Sequence, residues 1–236
     1  MSSLPKIESW FKEKGWKPFP FQYEVWEKYL EGYSGLLNAP TGSGKTFALW
    51  MPALMEQMQQ EKKTRGLQLL WITPLKALAK DIHLAVQQAT KELSVPWKVE
   101  LRTGDVSSAR KKKQLEKLPD ALITTPESLH LLLTVGETEK IFSNLQVIVV
   151  DEWHELFGSK RGVLVELALS RIKAVKQGLK IWGISATIGN LEQSIQVLLG
   201  NDFKGKQCKV VAHIRKKINI RSVIPDEIER FRLGDD

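Results

Sequence analysis

The sequence predicts an α/β fold, a mostly parallel sheet flanked by helices on both faces, and three observations predict it. Short apolar runs alternate with helix-forming stretches along most of the chain, an order that buries each strand between helices. One junction is glycine-rich: Ala39-Pro40-Thr41-Gly42-Ser43-Gly44-Lys45-Thr46 lies between an apolar run and a helical segment. Another apolar run, 145–150, ends directly in the acids Asp151-Glu152. In such sheets ligands bind beyond the carboxyl ends of the strands.

Seven strands are expected, at 35–38, 67–72, 97–102, 121–124, 145–150, 180–185 and 208–212. Seven helices are expected, at 21–31, 45–59, 75–92, 107–117, 126–134, 159–176 and 190–199. No internal repeat or low-complexity linker interrupts them. The 236 residues suffice for one large domain or two small ones, and the 42% hydrophobic and 26% charged content is that of an ordinary globular protein. No apolar run approaches the ~20 residues of a membrane helix, and the first twenty residues lack a signal-peptide core. A cytoplasmic location and no membrane partner are therefore expected. Cys208 is the one cysteine, which excludes an intrachain disulfide and a multi-cysteine metal site. The net charge of +8 suits a polyanionic partner, although a lysine-rich solvated surface gives the same balance. Most of the eight Trp residues are expected in the core, while any at a basic surface can stack on unpaired bases.

The glycine-rich junction has the layout of a phosphate-binding loop. Its glycines let successive N–H groups converge on a polyphosphate at the positive end of a helix dipole. Lys45 is then placed for the β/γ-phosphates and Thr46 for Mg²⁺. Ala39 stands where the strict pattern has glycine, so the match is to a relaxed form. The acids carry the second signature: Asp151 to hold Mg²⁺ through water, Glu152 to orient and deprotonate the attacking water. His154 reads either as a reporter on the γ-phosphate or as a satisfied polar residue. Gln22 has an amide with donor and acceptor, able to pair with adenine, but alone it reads more readily as a helix-start glutamine.

Two Thr–Pro pairs follow strands, Thr73-Pro74 and Thr125-Pro126, each expected to cap and start a helix. Capped helix starts bind phosphate, so the repeated device can hold neighbouring phosphates of one nucleic-acid strand. Lys76 follows the first pair. Gly104, in Thr103-Gly104-Asp105, permits close backbone approach, and the run Arg110-Lys111-Lys112-Lys113 reads mostly as a solvated face. Ser185-Ala186-Thr187 ends a strand with small hydroxyl residues that can sense the acidic pair.

Taken in order, Gln22, APTGSGKT, TPLKALAKD, TTPESL, DEWH and SAT resemble the first RecA-like domain of a superfamily 2 DExH-box helicase, over roughly residues 16–190. The finer resemblance is to Lhr-like helicases. DEWHELFGSKRGVLVELALSRIK, with RTGD upstream, resembles the ligase-associated DNA damage response branch. The resemblance implies a RecA-like P-loop NTPase fold and ATP and Mg²⁺ as ligands. It divides the chain into an N-terminal region with an adenine-reading motif (1–33), the ATP-binding domain (34–215) and the start of a linker (216–236) toward a second RecA-like domain. It assigns ATP binding to Gln22 and residues 39–46, metal to Thr46 and Asp151, and catalysis to Lys45, Asp151, Glu152 and His154. It places Thr73, Pro74, Lys76, Gly104, Thr125 and Pro126 on the nucleic-acid path and makes Ser185 and Thr187 the coupling residues. It implies 3′–5′ translocation on single-stranded DNA, unwinding of DNA duplexes or RNA–DNA hybrids, and a repair context with a DNA ligase and a nuclease. The residues after Thr187 are too few for a second such domain, and an arginine finger from that domain is worth about 10³–10⁵ in rate. The isolated domain is therefore expected to be nearly inactive. An RNA helicase motor and a non-catalytic nucleic-acid or ATP-binding module are the alternatives that the motifs leave open.

Overall fold

A computed structural model of the chain describes residues 3–60, 64–186 and 189–214. Among them, β1 (Ser34–Asn38), β2 (Leu69–Ile72), β3 (Val99–Arg102), β4 (Ala121–Thr124), β5 (Val147–Val150), β6 (Lys180–Ser185) and β7 (Gln207–Val211) form one sheet. Its order is β3-β4-β2-β5-β6-β1-β7, and every pairing is parallel.

Helices cover both faces, so the central strands read as unbroken apolar runs: LLWI in β2 and VIVV in β5 are buried throughout. Alternation still divides them. Leu69, Trp71, Val147, Val149, Trp182 and Ile184 face α1 (Leu4–Glu13), α2 (Pro20–Leu30), α3 (Lys45–Gln59) and α4 (Lys76–Glu92). α5 (Ser108–Glu116) is tied to edge strand β3, where Gln114 donates to Glu100 and to the Leu101 carbonyl. On the other face Leu70, Ile72, Ile148, Val150 and Ile181 meet α6 (Pro126–Leu133), α7 (Thr138–Phe142), α8 (Trp153–Leu156), α9 (Lys160–Val175) and α10 (Leu191–Leu199). Ser107, Ser159 and Asn190 cap α5, α9 and α10 through their side chains.

The expected strands and helices lie within two residues of these bounds; α1, α7 and α8 are additional. The expectation for Thr73-Pro74 is corrected. Helix α4 starts at Lys76 with Leu75 as an extended N-cap, and no side chain caps it. Thr73 donates its N–H to the Thr124 carbonyl at 3.0 Å, which prolongs the β2–β4 ladder. The proline after it favours that extended backbone, so the helix begins later. Thr125 does stand at the N-cap of α6 with Pro126 behind it, but its hydroxyl meets the Ser128 hydroxyl at 3.3 Å rather than a backbone N–H.

β1 sits between β6 and β7 because Gly35 has no side chain. A Cβ there would lie 2.6 Å from the Cys208 carbonyl oxygen and 2.9 Å from the Trp182 ring. Gly35→Ala is expected to destabilise the protein by about 1–3 kcal/mol, the usual cost of overpacking. Urea unfolding checks this; an unchanged midpoint would show that the strands can part without loss.

Candidate nucleotide site and nucleic-acid edge

The loop 39–46 leaves β1 pinned at its base. Ala39 donates its N–H to the Ser185 carbonyl at 2.9 Å, and Ser43 Oγ donates to the Pro40 carbonyl at 2.7 Å. Gly42 and Gly44 take φ of 77° and 80°, where a side chain is strained. Gly44 is the N-cap of α3 and Lys45 and Thr46 open the helix, so the unpaired N–H groups of its first turn lie at the loop. Thr41 and Gly42 are exposed at the crest, while Pro40 and Thr46 are half-buried.

The acids stand where β5 ends. Asp151 still donates its N–H to the Ile72 carbonyl at 2.7 Å, and its carboxylate accepts from the Glu152 N–H at 2.9 Å and from Trp71 Nε1 at 3.4 Å. Burial first, and the adjacent Glu152 second, push the Asp151 carboxyl up to about 7. Glu152 adopts φ 47° and ψ 44°, a left-handed conformation costly for a residue with a side chain. Its carboxylate lies 3.5 Å from Lys45 Nζ and 3.4 Å from His154 Nδ1. The His154 contact is close without being aligned as a hydrogen bond. Among the described residues no cluster of three His, Cys, Asp or Glu forms a metal cage. Thr46 and Asp151 offer hard oxygen donors, and Mg²⁺ needs only one or two from protein when phosphates and water complete its shell. The crowded negative charge at Asp151 also favours a cation, so these residues fit Mg²⁺.

Gln22 is buried and joined to the loop. Its Oε1 accepts the Phe19 N–H at 2.8 Å and its Nε2 donates to the Gly44 carbonyl at 3.0 Å. One N–H and one oxygen lone pair remain for a base. Beside it opens a cavity of about 440 Å³ whose wall includes Trp16, Phe19, Phe47, Gly42 and Ser43. Trp16 is the exposed tryptophan, at 52%, and it lies in this wall.

The remaining candidates lie at the ends of β2, β3 and β4. Lys76 pairs with Asp105 at 2.7 Å, and Lys111 donates to the Gly104 carbonyl at 3.3 Å, so the Gly104 loop is bracketed by two lysines. Thr73 and Thr103 are fully buried, and among the described residues their hydroxyls have no hydrogen-bond partner. Arg110 reaches inward to Glu100 at 3.1 Å; Lys112 and Lys113 are exposed, as a solvated face requires. Ser185 ends β6, paired in register with Asn38, and its buried Oγ is also without a partner among the described residues. Thr187 lies outside the described residues, as does the linker expected at 216–236.

Sheet order gathers these residues into two neighbouring groups. The ends of β1, β5 and β6 bring together the loop, Asp151-Glu152 and Ser185; the ends of β3, β4 and β2 bring together Gly104, Thr125-Pro126 and Thr73-Pro74. A glycine-rich loop facing an acid pair along one edge of a parallel sheet is the arrangement of a P-loop protein. Residues 19–194 match the DEAD/DEAH box helicase family. The chain belongs to that family.

It is 34% identical over 235 residues to the ATP-dependent helicase Lhr-Core of Methanocaldococcus jannaschii, covering 93% of this chain and 27% of that protein. It is 32% identical over 216 residues to the Lhr helicase/uracil glycosylase of Escherichia coli, covering 84% and 14%. The chain thus spans about a quarter or less of these relatives. Among solved structures, the Mycobacterium smegmatis helicase Lhr bound to single-stranded DNA and AMP-PNP superposes with a TM-score of 0.75 at 30% identity. That match covers 88% of this chain and 27% of the other. The aromatics preceding Gln22 in the sequence are the expected stacking partners for a base, and Trp16 and Phe19 are in the wall; Phe47 in that wall, the Lys45–Glu152 pair and the Trp71–Asp151 contact were not read from sequence.

Proposed function

We propose that this chain is the ATP-binding motor domain of an ATP-dependent DNA helicase, coupling hydrolysis to 3′–5′ translocation on single-stranded DNA and to unwinding in a repair context. The observation that carries the reading is the continuous edge on which the loop and acid pair adjoin the Thr–Pro ends of β2 and β4. The DNA in the similar Lhr structure supports the choice of polymer. The polarity, the repair role and the DNA ligase and nuclease partners rest on the resemblance of DEWHELFGSKRG to the ligase-associated branch. In this reading residues 34–215 are the motor and residues 216–236 lead toward a second RecA-like domain.

The backbone of residues 41–46 cradles the triphosphate, and Lys45 moves from Glu152 to the β/γ-phosphates. Gln22 and its aromatic neighbours receive adenine. Thr46 and Asp151 hold Mg²⁺, which when bound neutralises charge developing on the transferred phosphoryl group. Water attacks the γ-phosphorus, its proton passes to Glu152, and the bond to the β-phosphate oxygen breaks to release ADP and phosphate. Ser185, beneath the loop at Ala39, and Thr187 carry the change toward the nucleic-acid edge.

Unwinding of 3′-tailed against 5′-tailed duplexes by the full-length protein, with single-stranded DNA or RNA as ATPase stimulator, tests the reading. Faster unwinding of 3′-tailed DNA is expected; stimulation by RNA alone would replace DNA with RNA as substrate. On the edge itself, Lys76→Ala is expected to reduce the slope of log affinity against log salt by about 0.7, one phosphate contact on a single strand. Titrations at several salt concentrations check this, and an unchanged slope would remove Lys76 from the path.

A further inference from the structure

We propose that Trp71 is a positioning residue that holds the Asp151 carboxylate for its metal and ties it to the strand leading to the nucleic-acid edge. The proposal rests on the reading of Asp151 as a metal ligand.

The register makes the contact possible. Trp71 pairs with Val149 across the β2–β5 ladder, so Asp151 is its diagonal neighbour on the same face of the sheet. A diagonal neighbour is within reach of an aromatic side chain but not of a short one. Trp71 is fully buried, and its Nε1–H is the group within reach of Asp151 Oδ2, at 3.4 Å. The other carboxylate oxygen is occupied by the Glu152 N–H. The two donors therefore fix the plane of the carboxyl group, leaving lone pairs on both oxygens.

Trp71 also stands where the two functional groups of the sheet meet. β2 is the strand of the nucleic-acid group that adjoins β5 of the nucleotide group. Two residues after Trp71 comes Thr73, whose backbone is bonded to Thr124 beside Thr125. Across the face, Trp71 meets Trp50 of α3, the helix that opens with Lys45 and Thr46, at 6.3 Å between ring centroids. A displacement of Thr73-Pro74 along β2 thus acts on the metal carboxylate through the Trp71 side chain, while the Asp151 N–H bond to the Ile72 carbonyl acts on its backbone. Phenylalanine keeps an aromatic ring at this buried position, at smaller volume, and removes the donor, so loss of packing alone would weaken binding equally with and without metal. That difference makes the role testable.

In Trp71→Phe, the Mg²⁺ concentration that half-saturates binding of a fluorescent ATP analogue is expected to rise about five- to tenfold, the net effect of one ordinary hydrogen bond, as befits a 3.4 Å contact. Affinity for the analogue in EDTA is expected to stay within about twofold. Equal Mg²⁺ midpoints in the two proteins, or equal losses with and without metal, would overturn the role of Trp71. If the unaltered protein binds the analogue without any Mg²⁺ dependence, it is the metal reading of Asp151 that fails. Should Trp71→Phe not fold, indole ¹H–¹⁵N spectra provide the second test. A single tryptophan N–H resonance is expected to move in Asp151→Asn and again when Mg²⁺ is added to the nucleotide complex. Indole resonances indifferent to both would overturn the proposal.

Discussion

Replacing Glu152 with glutamine in the full-length protein is expected to cut kcat for ATP hydrolysis by about 10²–10⁴-fold, the contribution of a general base. ATP affinity is expected to be retained or modestly improved, because Lys45 and Glu152 lie 3.5 Å apart and Lys45 must leave that partner to meet the phosphates. Glutamine has the same shape but no charge to hold the lysine back, and it cannot accept the proton of the attacking water. It also inherits the left-handed backbone of position 152, so the change leaves backbone strain where it was. Single-turnover phosphate release and equilibrium binding of a labelled ATP analogue separate the two effects. Hydrolysis that survives the substitution would take the base role away from Glu152. Lost binding with hydrolysis per bound ATP unchanged would make Glu152 a structural brace for the loop.

The parts of this site that sequence makes legible are those built within a few consecutive residues. A turn followed by Gly44-Lys45-Thr46, or two acids after VIVV, has its chemistry and its position set by one strand end, so periodicity and residue type suffice to locate them. Residues that act across strands are less legible. Trp71 looks like any core residue of LLWI until the register sets it diagonally from Asp151. Lys45 and Glu152 are 107 positions apart and meet only because β5 and β1 both flank β6. The Thr–Pro pairs show the converse: the same dipeptide starts a helix at Thr125 but extends a strand at Thr73, because the ladder bond to Thr124 outweighs the local helix signal. Helix α1 carried a usable pattern, Leu4, Ile7, Trp10 and Phe11 at helical spacing, whereas α7 and α8, of five and four residues, are too short for periodicity to mark.

The pH dependence of stability tests the electrostatics of the site without any turnover. Asp151 has its carboxyl raised from 3.8 to about 7 by burial and by Glu152. Between these values the folded protein holds a proton that the unfolded chain releases, so this group's contribution to stability falls as pH rises and is lost once pH passes about 7. Above that the folded state carries a buried charge crowded by a second one. Asp151→Asn removes the charge but leaves only one amide oxygen to accept from either the Glu152 N–H or Trp71 Nε1. At about 1.4 kcal/mol per pH unit of separation, less the lost acceptor, the nucleotide-free variant is expected to be more stable by about 1–3 kcal/mol at pH 8. In a domain of this size that raises Tm by roughly 2–12 °C. The gain should shrink toward zero or reverse near pH 4–5, where the unaltered Asp151 is itself neutral in the fold. Adding Mg²⁺ and a non-hydrolysable ATP analogue at pH 8 should invert the order, since a cation at Asp151 stabilises the charge that the empty site disfavours. Thermal scans of both proteins across pH 4–8.5, with and without the metal nucleotide, check both parts. A variant less stable than the parent at pH 8 without ligand would mean that Asp151 is held ionised at little cost, its charge already balanced by Lys45.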